Sequence, residues 1–358
     1  MLHAKLAPSS AARRVACPGS RALEALYPET SASPSSREGT AAHWVAQNYL
    51  NGIYDMSPIG PNGEPITKEM LEGADLYADT IKWVSKDEPL HTEQRVDISN
   101  VHPECWGTPD CWVVIDNHLH IFDYKFGHGY VEVVENWQLL EYAAGVAQTA
   151  TFSKVTLTII QPRCFTREGP VRSWTITAAE LYKYIGRLKQ AEELAVSPDA
   201  LCVPSPECMH CLGRHACTAL QRTAGKFVDI AHNTSSYELD SRQTAWELKH
   251  LRDAANIIQA RMTSLEEQAK SMITRGEYVP GFKLEPGQGR EHWTRDACEI
   301  ITMGELMGIN LAKPPEAITP VQARKIGIQD DILQAYSQRV SGKLKLVEET
   351  NATKVFKK

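Results

Sequence analysis

The chain has no apolar run approaching the ~20 residues that span a bilayer, and Met1–Ser20 carries basic residues without the apolar stretch of a secretion signal. A cytoplasmic protein with no membrane contact is therefore expected. There is no Gly-x-x-x-x-Gly-Lys-Ser/Thr loop, so any work drawn from nucleotide hydrolysis must come from a partner. No internal repeat is present, which excludes a solenoid. Positive charge is not in excess: 38 Lys and Arg stand against 44 Asp and Glu, a net charge of −6. That balance counts mildly against a nucleic-acid partner, but acids gathered around a metal and local basic patches are compatible with it. A disulfide framework is also missing, because the nine cysteines are odd in number and lack a secretory context.

Charged residues at 23% and hydrophobic residues at 42% are ordinary for a globular protein, and 358 residues suffice for a sizeable core plus a smaller unit. The hydrophobic pattern predicts helices over about Glu38–Leu50, with Ser35 or Ser36 as cap, and over Thr67–Ser85, Glu135–Gln148 and Thr177–Ala195. Strands are expected at Gln94–Ile98, Asp110–Ile115, His118–Lys125 and Lys154–Gln161. Helix, antiparallel strands, helix, strand is the order of an α/β core over residues 1–225. Residues 226–358 read as a separate, mainly helical region. Its long helix, 241–275, carries Leu248, Leu251, Ala255, Ile258, Met262, Leu265, Ala269 and Met272 in heptad spacing. That stripe admits either packing on its own domain or self-association through 248–272. Further along, Gly281–Trp293 is expected to form a hairpin, Thr319-Pro320-Val321-Gln322 to start a helix, and Lys354–Lys358 to be a frayed tail.

The most informative segment is Asp110–Lys125. Asp116-Asn117 suits a two-residue hairpin turn, since both types tolerate positive φ. With Ile115 opposite His118, Asp110 faces Asp123, with Cβ atoms about 4.5–5.5 Å apart. Lys125 shares that face, as do Trp112, Val114, Leu119 and Ile121. Two carboxylates so close repel unless a cation lies between them. Hard oxygen ligands favour Mg²⁺ or Mn²⁺, which would polarise a phosphodiester and activate water, with Lys125 orienting that water or stabilising developing charge. Read alone, so short a pattern is more often a surface hairpin with a stray salt bridge.

Three further groups accompany it: Glu38-Gly-Thr-Ala-Ala-His43 upstream, Gln138 and Tyr142 four apart on the following helix, and cysteines on both sides of the core, Cys17 before and Cys208, Cys211 and Cys217 after. In this order they resemble the RecB-like PD-(D/E)xK nucleases, which include the RecB and AddB nuclease domains and the CRISPR-associated RecB-like exonucleases. The matching elements are Gly39–His43, Gly107–Asp110, Asp123–Lys125 and Gln138–Tyr142, over roughly residues 1–220. The opening His3-Ala-Lys-Leu-Ala-Pro-Ser-Ser and Cys17-Pro-Gly-Ser look like a phage-encoded branch of that group. Gly281-Phe-Lys-Leu-Glu-Pro-Gly and Arg290-Glu-His-Trp293 extend the likeness toward the full length.

The resemblance implies a mixed central sheet flanked by helices, and a metal-dependent deoxyribonuclease, an exonuclease acting on single-stranded or duplex DNA ends in recombination, repair or phage replication. It implies His43, Asp110, Asp123 and the Tyr124 backbone carbonyl as metal ligands and Lys125 as the catalytic lysine. Gln138 and Tyr142 would position the strand or Lys125, and Glu38 would support the ligands from outside. It also implies a [4Fe–4S] cluster on Cys17, Cys208, Cys211 and Cys217, whereas local spacing equally allows a zinc knot completed by Cys202. Because the N-terminal segment shows few apolar anchors, the cluster is expected to be its main tether, closing a loop of roughly 190 residues. A single-strand DNA-binding or recombination protein is the expected partner, in a host cytoplasm if phage-encoded. The competing expectation is a DNA-binding scaffold in which cleavage is dispensable.

Overall fold

The computed structural model describes residues 4–27, 33–86, 88–231 and 239–284. The central sheet has five strands in the order β1 (His91–Thr92), β4 (Cys111–Ile115), β5 (His118–Tyr124), β6 (Lys154–Ile160) and β7 (Val171–Thr177). Only β5 and β6 run parallel, and helix α5 (Trp137–Val146) makes the crossover between them. A separate two-stranded ribbon pairs β2 (Val96–Asp97) with β3 (Trp106–Gly107). The mixed α/β class expected from the sequence is the class observed. β7 was not foreseen; it pairs antiparallel with β6 and closes the far edge.

Alternation along β4 and β5 divides the core in two. Leu119 and Ile121 of β5 and Trp112 of β4 face one way, into a cluster with Leu139, Leu140 and Ala143 of α5 and Leu181, Ile185 and Leu188 of α6 (Ala178–Val196). Cys111, Val113, Phe122 and Tyr124 face the other way. They meet α3 (Pro34–Leu50) and α4 (Lys68–Ser85) through Ala41, Ala42, Val45, Ala46, Ala74 and Tyr77. The small residues on α3 and α4 let these helices lie close together and close to the sheet.

Local chemistry sets the helix starts. α3 begins earlier than expected: Ser33, not Ser35 or Ser36, accepts the Ser36 N–H at 3.1 Å, with Pro34 in the first turn. Thr67 caps α4, Asn136 caps α5, and Thr177 with Glu180 forms a capping box on α6. Asp116 and Asn117 have φ of 48° and 60°, the two left-handed residues of a tight hairpin turn, and Ile115 lies opposite His118.

The N-terminal segment contains α1 (Ala11–Ala16) and α2 (Ser20–Glu24). It corrects one expectation, because it is well anchored without any cluster. Leu6 and Ala11 are fully buried, and Arg14 is nearly so. The Arg14 guanidinium meets Glu192 of α6 at 2.7 Å and Glu141 of α5 at 3.1 Å, and donates to the Ala7 carbonyl at 2.8 Å. After two short helical turns, Pro206–His210 and Arg214–Ala216, which with Cys208, Cys211 and Cys217 form the cysteine turns, come α7 (Thr218–Ala231) and α8 (Ser241–Thr274). The long helix lies within one compact unit, Met1–Leu284. Its buried face is Ala254, Ile257, Ala260 and Ser264, and Ile257 and Ala260 pack over the cysteine turns, while Leu251, Met262 and Leu265 of the heptad stripe are exposed. Three- and four-residue spacing recurs on more than one face of a helix, and contact chose the face with small residues. The greater part of the expected hairpin 281–293, the helix at Thr319 and the Lys-rich end lie outside the described residues. Among those described, no helix is long and apolar enough to cross a membrane.

Candidate active site

The hairpin register continues one residue past β4, so Asp110 lies opposite Asp123 of β5 at the sheet's end. Each carboxylate is held differently. Asp110 Oδ2 accepts the Tyr124 backbone N–H at 2.7 Å, and its Oδ1 lies 3.4 Å from His43 Nδ1. Asp123, 2% exposed, has Lys125 Nζ 3.1 Å from Oδ1 and 2.9 Å from Oδ2, with only the first in hydrogen-bonding direction. Gln138 reads both partners: its Nε2 donates to Asp123 Oδ1 at 3.3 Å and its Oε1 accepts from Lys125 Nζ at 3.3 Å. That Nε2 also lies 3.2 Å from the Tyr142 hydroxyl, one helical turn on. Sheet end, α3 and α5 thus bring His43, Asp110, Asp123, Lys125, Gln138 and Tyr142 into one network.

Packing fixes these positions. The His43 ring stands edge-on to the fully buried Tyr124 ring at 5.3 Å. Gly107 is required where it is: a Cβ there would come within 2.6 Å of Pro8 Cγ and 2.7 Å of Tyr142 Cε1. Its role is close approach of the N-terminal segment and α5. Glu38 is drawn instead to Arg163, 2.9 Å away, which also meets Glu69 at 2.8 Å and lies over the Phe126 ring.

Charge is unevenly shared. Burial disfavours ionised Asp110, but the His43 and Lys125 charges and the Tyr124 N–H outweigh it and hold its pKa below the usual value. Burial and the Asp110 charge raise Asp123 despite Lys125. Burial opposes charge on His43 and Lys125 too, yet the neighbouring carboxylates push both pKa values upward. Two buried acids this close, one of them raised by burial and by its neighbour's charge, make a site where added positive charge is favourable. The donor set of one imidazole and hard carboxylate oxygens fits a divalent cation.

The site has a member that motif reading missed. Glu93 follows β1, whose pairing Thr92–Cys111 continues to place Glu93 beside Asp110; its N–H donates to the Asp110 carbonyl at 3.2 Å. Ligand atoms of His43, Glu93 and Asp110 all lie within 4.8 Å of one another. Burial and the Asp110 charge push the Glu93 carboxyl up to about 7, although its outer side is exposed. No short motif contains it, and only pairing of the edge strand β1 with β4 brings it there.

The family model described as "Protein of unknown function (DUF2800)" matches residues 3–354. The chain belongs to the DUF2800 family. Among solved structures, the protein SSO0001 is similar at 15% identity, over 61% of this chain and 88% of that one, with a TM-score of 0.30. A phage related exonuclease from Haemophilus somnus 129PT is similar at 13% identity, over 53% of this chain and 92% of that one, with a TM-score of 0.26.

This DUF2800 protein has a second cluster of reactive side chains. Cys17, Cys202, Cys208, Cys211 and Cys217 line one cavity between α1, the cysteine turns and α7. Both fourth-ligand alternatives are therefore present together. Their surroundings differ. Cys17 accepts the Val203 N–H at 3.2 Å, Cys208 the Ser205 N–H and Cys217 the Leu220 N–H, both at 3.4 Å, and Cys211 faces the Gly213 N–H. Among the described residues no backbone N–H donates to Cys202, whose thiol lies between those of Cys17 and Cys217. Main-chain stitching also joins the two segments: Gly19 N–H donates to the Leu201 carbonyl at 2.9 Å, and a Cβ on Gly19 would collide with Cys202.

Proposed function

We propose that this chain is a metal-dependent nuclease that hydrolyses phosphodiester bonds in DNA, acting from ends. The observation that carries the reading is the facing pair Asp110–Asp123 joined to Lys125, with His43 on one side and Gln138 on the other. His43, Asp110, Asp123 and the Tyr124 carbonyl are the residues suited to hold Mg²⁺ or Mn²⁺. When bound, such an ion polarises a phosphodiester oxygen and lowers the pKa of water. The residues' own work is positional and electrostatic. Lys125, kept protonated by the acids, presents its ammonium to the charge that develops on the phosphorane or to the attacking water. Gln138 holds that ammonium at a set distance from Asp123, and Tyr142 holds Gln138. The test is cleavage of end-labelled linear DNA, single- and double-stranded, against closed circles, with Mg²⁺, Mn²⁺ or chelator. D110N, D123N and K125A are each expected to lose on the order of 10³-fold in rate, the scale of removing one preorganised charge-stabilising group. A D123N variant that cleaves at the wild-type rate overturns the reading, and tight DNA binding without cleavage by wild type leaves a scaffold instead.

The cysteine cavity supports a [4Fe–4S] cluster held by Cys17, Cys208, Cys211 and Cys217. Backbone N–H groups aimed at the sulfurs are the environment that stabilises cluster thiolates, and these four cysteines have them. A tetrahedral zinc site would draw its sulfurs to about 3.8 Å apart, from a Zn–S bond of about 2.3 Å. Among the described residues no three of these sulfurs lie within 4.8 Å of one another, a spread that suits a larger group. α8 covers the cavity through Ile257 and Ala260, and Arg214 meets Glu267 at 2.6 Å, so the cluster's role is structural.

A further inference from the structure

Three acids stand in register across three neighbouring strands: Glu93 beyond β1, Asp110 before β4 and Asp123 in β5. The middle one has a carboxylate on each side, but the two neighbours are not equivalent. Asp123 is already engaged by Lys125 and Gln138. At Glu93 the nearby basic group is the His43 imidazole, which also approaches Asp110. Three elements, the edge strand, the hairpin and α3, therefore converge on a space bounded by one nitrogen and two carboxylates, closed below by Tyr77 and Tyr124.

We propose that Glu93 is a metal ligand, and that the resting divalent cation of the free enzyme sits among His43, Glu93 and Asp110. This deepens the nuclease reading and rests on it for the cation's purpose, though not for its binding. A small cation needs its donors on several sides at about 2.0–2.2 Å, and donor atoms within 4.8 Å of one another reach that with side-chain adjustments alone. The charges add in the same direction: two carboxylates and a neutral imidazole complement one divalent ion, whereas Asp123 already shares its charge with Lys125. Asp123 would then chiefly hold Lys125 while remaining within the same donor set. Glu93 is the exposed member of the three, so an ion it held would be open to solvent on that side.

The test is calorimetric titration of the full chain with MnCl₂, beside the rise in melting temperature that the ion causes. Glu93→Gln keeps size and backbone conformation and removes the charge. It is expected to weaken Mn²⁺ binding by at least about tenfold, the lower end of what lost support costs a metal site. The metal-free melting temperature should stay unchanged, and the Mn²⁺-induced rise should shrink. Asp123→Asn should weaken binding less than Glu93→Gln, and Glu93→Asp, which sets the charge one methylene back, should fall between wild type and Glu93→Gln. A Glu93→Gln titration that superimposes on wild type overturns the assignment, as does a greater loss in Asp123→Asn. Wild-type protein that binds Mn²⁺ through Glu93 but cleaves no DNA would sink the nuclease reading and leave this assignment standing.

Discussion

The carboxylate end of the sheet and the cysteine cavity are both built from segments far apart in the chain, but they are organised by opposite means. At the acid site side chains position one another: Asp110 through His43, and Asp123 through Lys125 and Gln138. In the cavity the main chain does the positioning, with at least one N–H directed at each of four sulfurs. Burial raises the Cys17, Cys202, Cys208 and Cys211 thiols above their ordinary range, because desolvation disfavours the thiolate.

Arg14 stands between the two regions. It stands three residues before Cys17, and its partner Glu141 adjoins Tyr142 on α5. Arg14→Ala is expected to have a larger effect on stability than any substitution at either site. It leaves the buried acids Glu141 and Glu192 without their cationic partner, which costs about 3–5 kcal/mol of stability, and it should disturb both regions together, lowering the denaturation midpoint and exposing the N-terminal segment to protease. Chemical denaturation and limited proteolysis measure this. An Arg14→Ala protein as stable as wild type would mean that the ion triad is not what anchors the segment.

Cys17→Ser sharpens the contrast by striking the cavity alone. Anaerobically purified wild type is expected to be brown, with an absorption band on the order of 400 nm from thiolate–iron charge transfer. Cys17→Ser should bleach it while Mn²⁺ binding at the acid site persists and the N-terminus stays protected, because Leu6 and Arg14 still hold it. Cys202→Ser should keep its colour, since no backbone donor marks Cys202 as a ligand among the described residues. Bleaching by Cys202→Ser but not by Cys17→Ser would reverse the ligand set, and a colourless protein with stoichiometric zinc would remove the cluster.

The smallest effect concerns pH. Burial, above all, and the neighbouring Glu192 push the Glu141 carboxyl up to about 8 against the Arg14 charge. A folded pKa above the unfolded value means that the native state holds an extra proton between about 4.5 and about 8. Its contribution to stability is full below the unfolded pKa and disappears as pH rises through the folded one. Melting temperature should therefore decline across that window in wild type and decline less in Glu141→Gln, which mimics the protonated group. Equal slopes would exclude Glu141 as the titrating residue.

The strand and helix pattern, the Asp116-Asn117 turn and the facing of Asp110 and Asp123 were legible in the chain alone, because they follow from two-residue and 3.6-residue periodicity and from turn chemistry that act over short distances. The spacing of Gln138 and Tyr142 was legible for the same reason, and Lys125 follows from strand parity. Tertiary structure decided what periodicity leaves open. Heptad spacing in α8 did not reveal that Ala254, Ile257 and Ala260 would be buried and Leu251, Met262 and Leu265 exposed, since only the shape of the cysteine turns selects the face. The anchoring of the N-terminal segment depends on Arg14 meeting acids 127 and 178 residues away, and a lone arginine in a sequence carries no sign of burial. Glu93 joins the acids only because an edge strand of two residues pairs with β4. Local sequence dictates conformation over a few residues, whereas which side chains share a buried space is set by the packing of elements whose contacts no short pattern encodes.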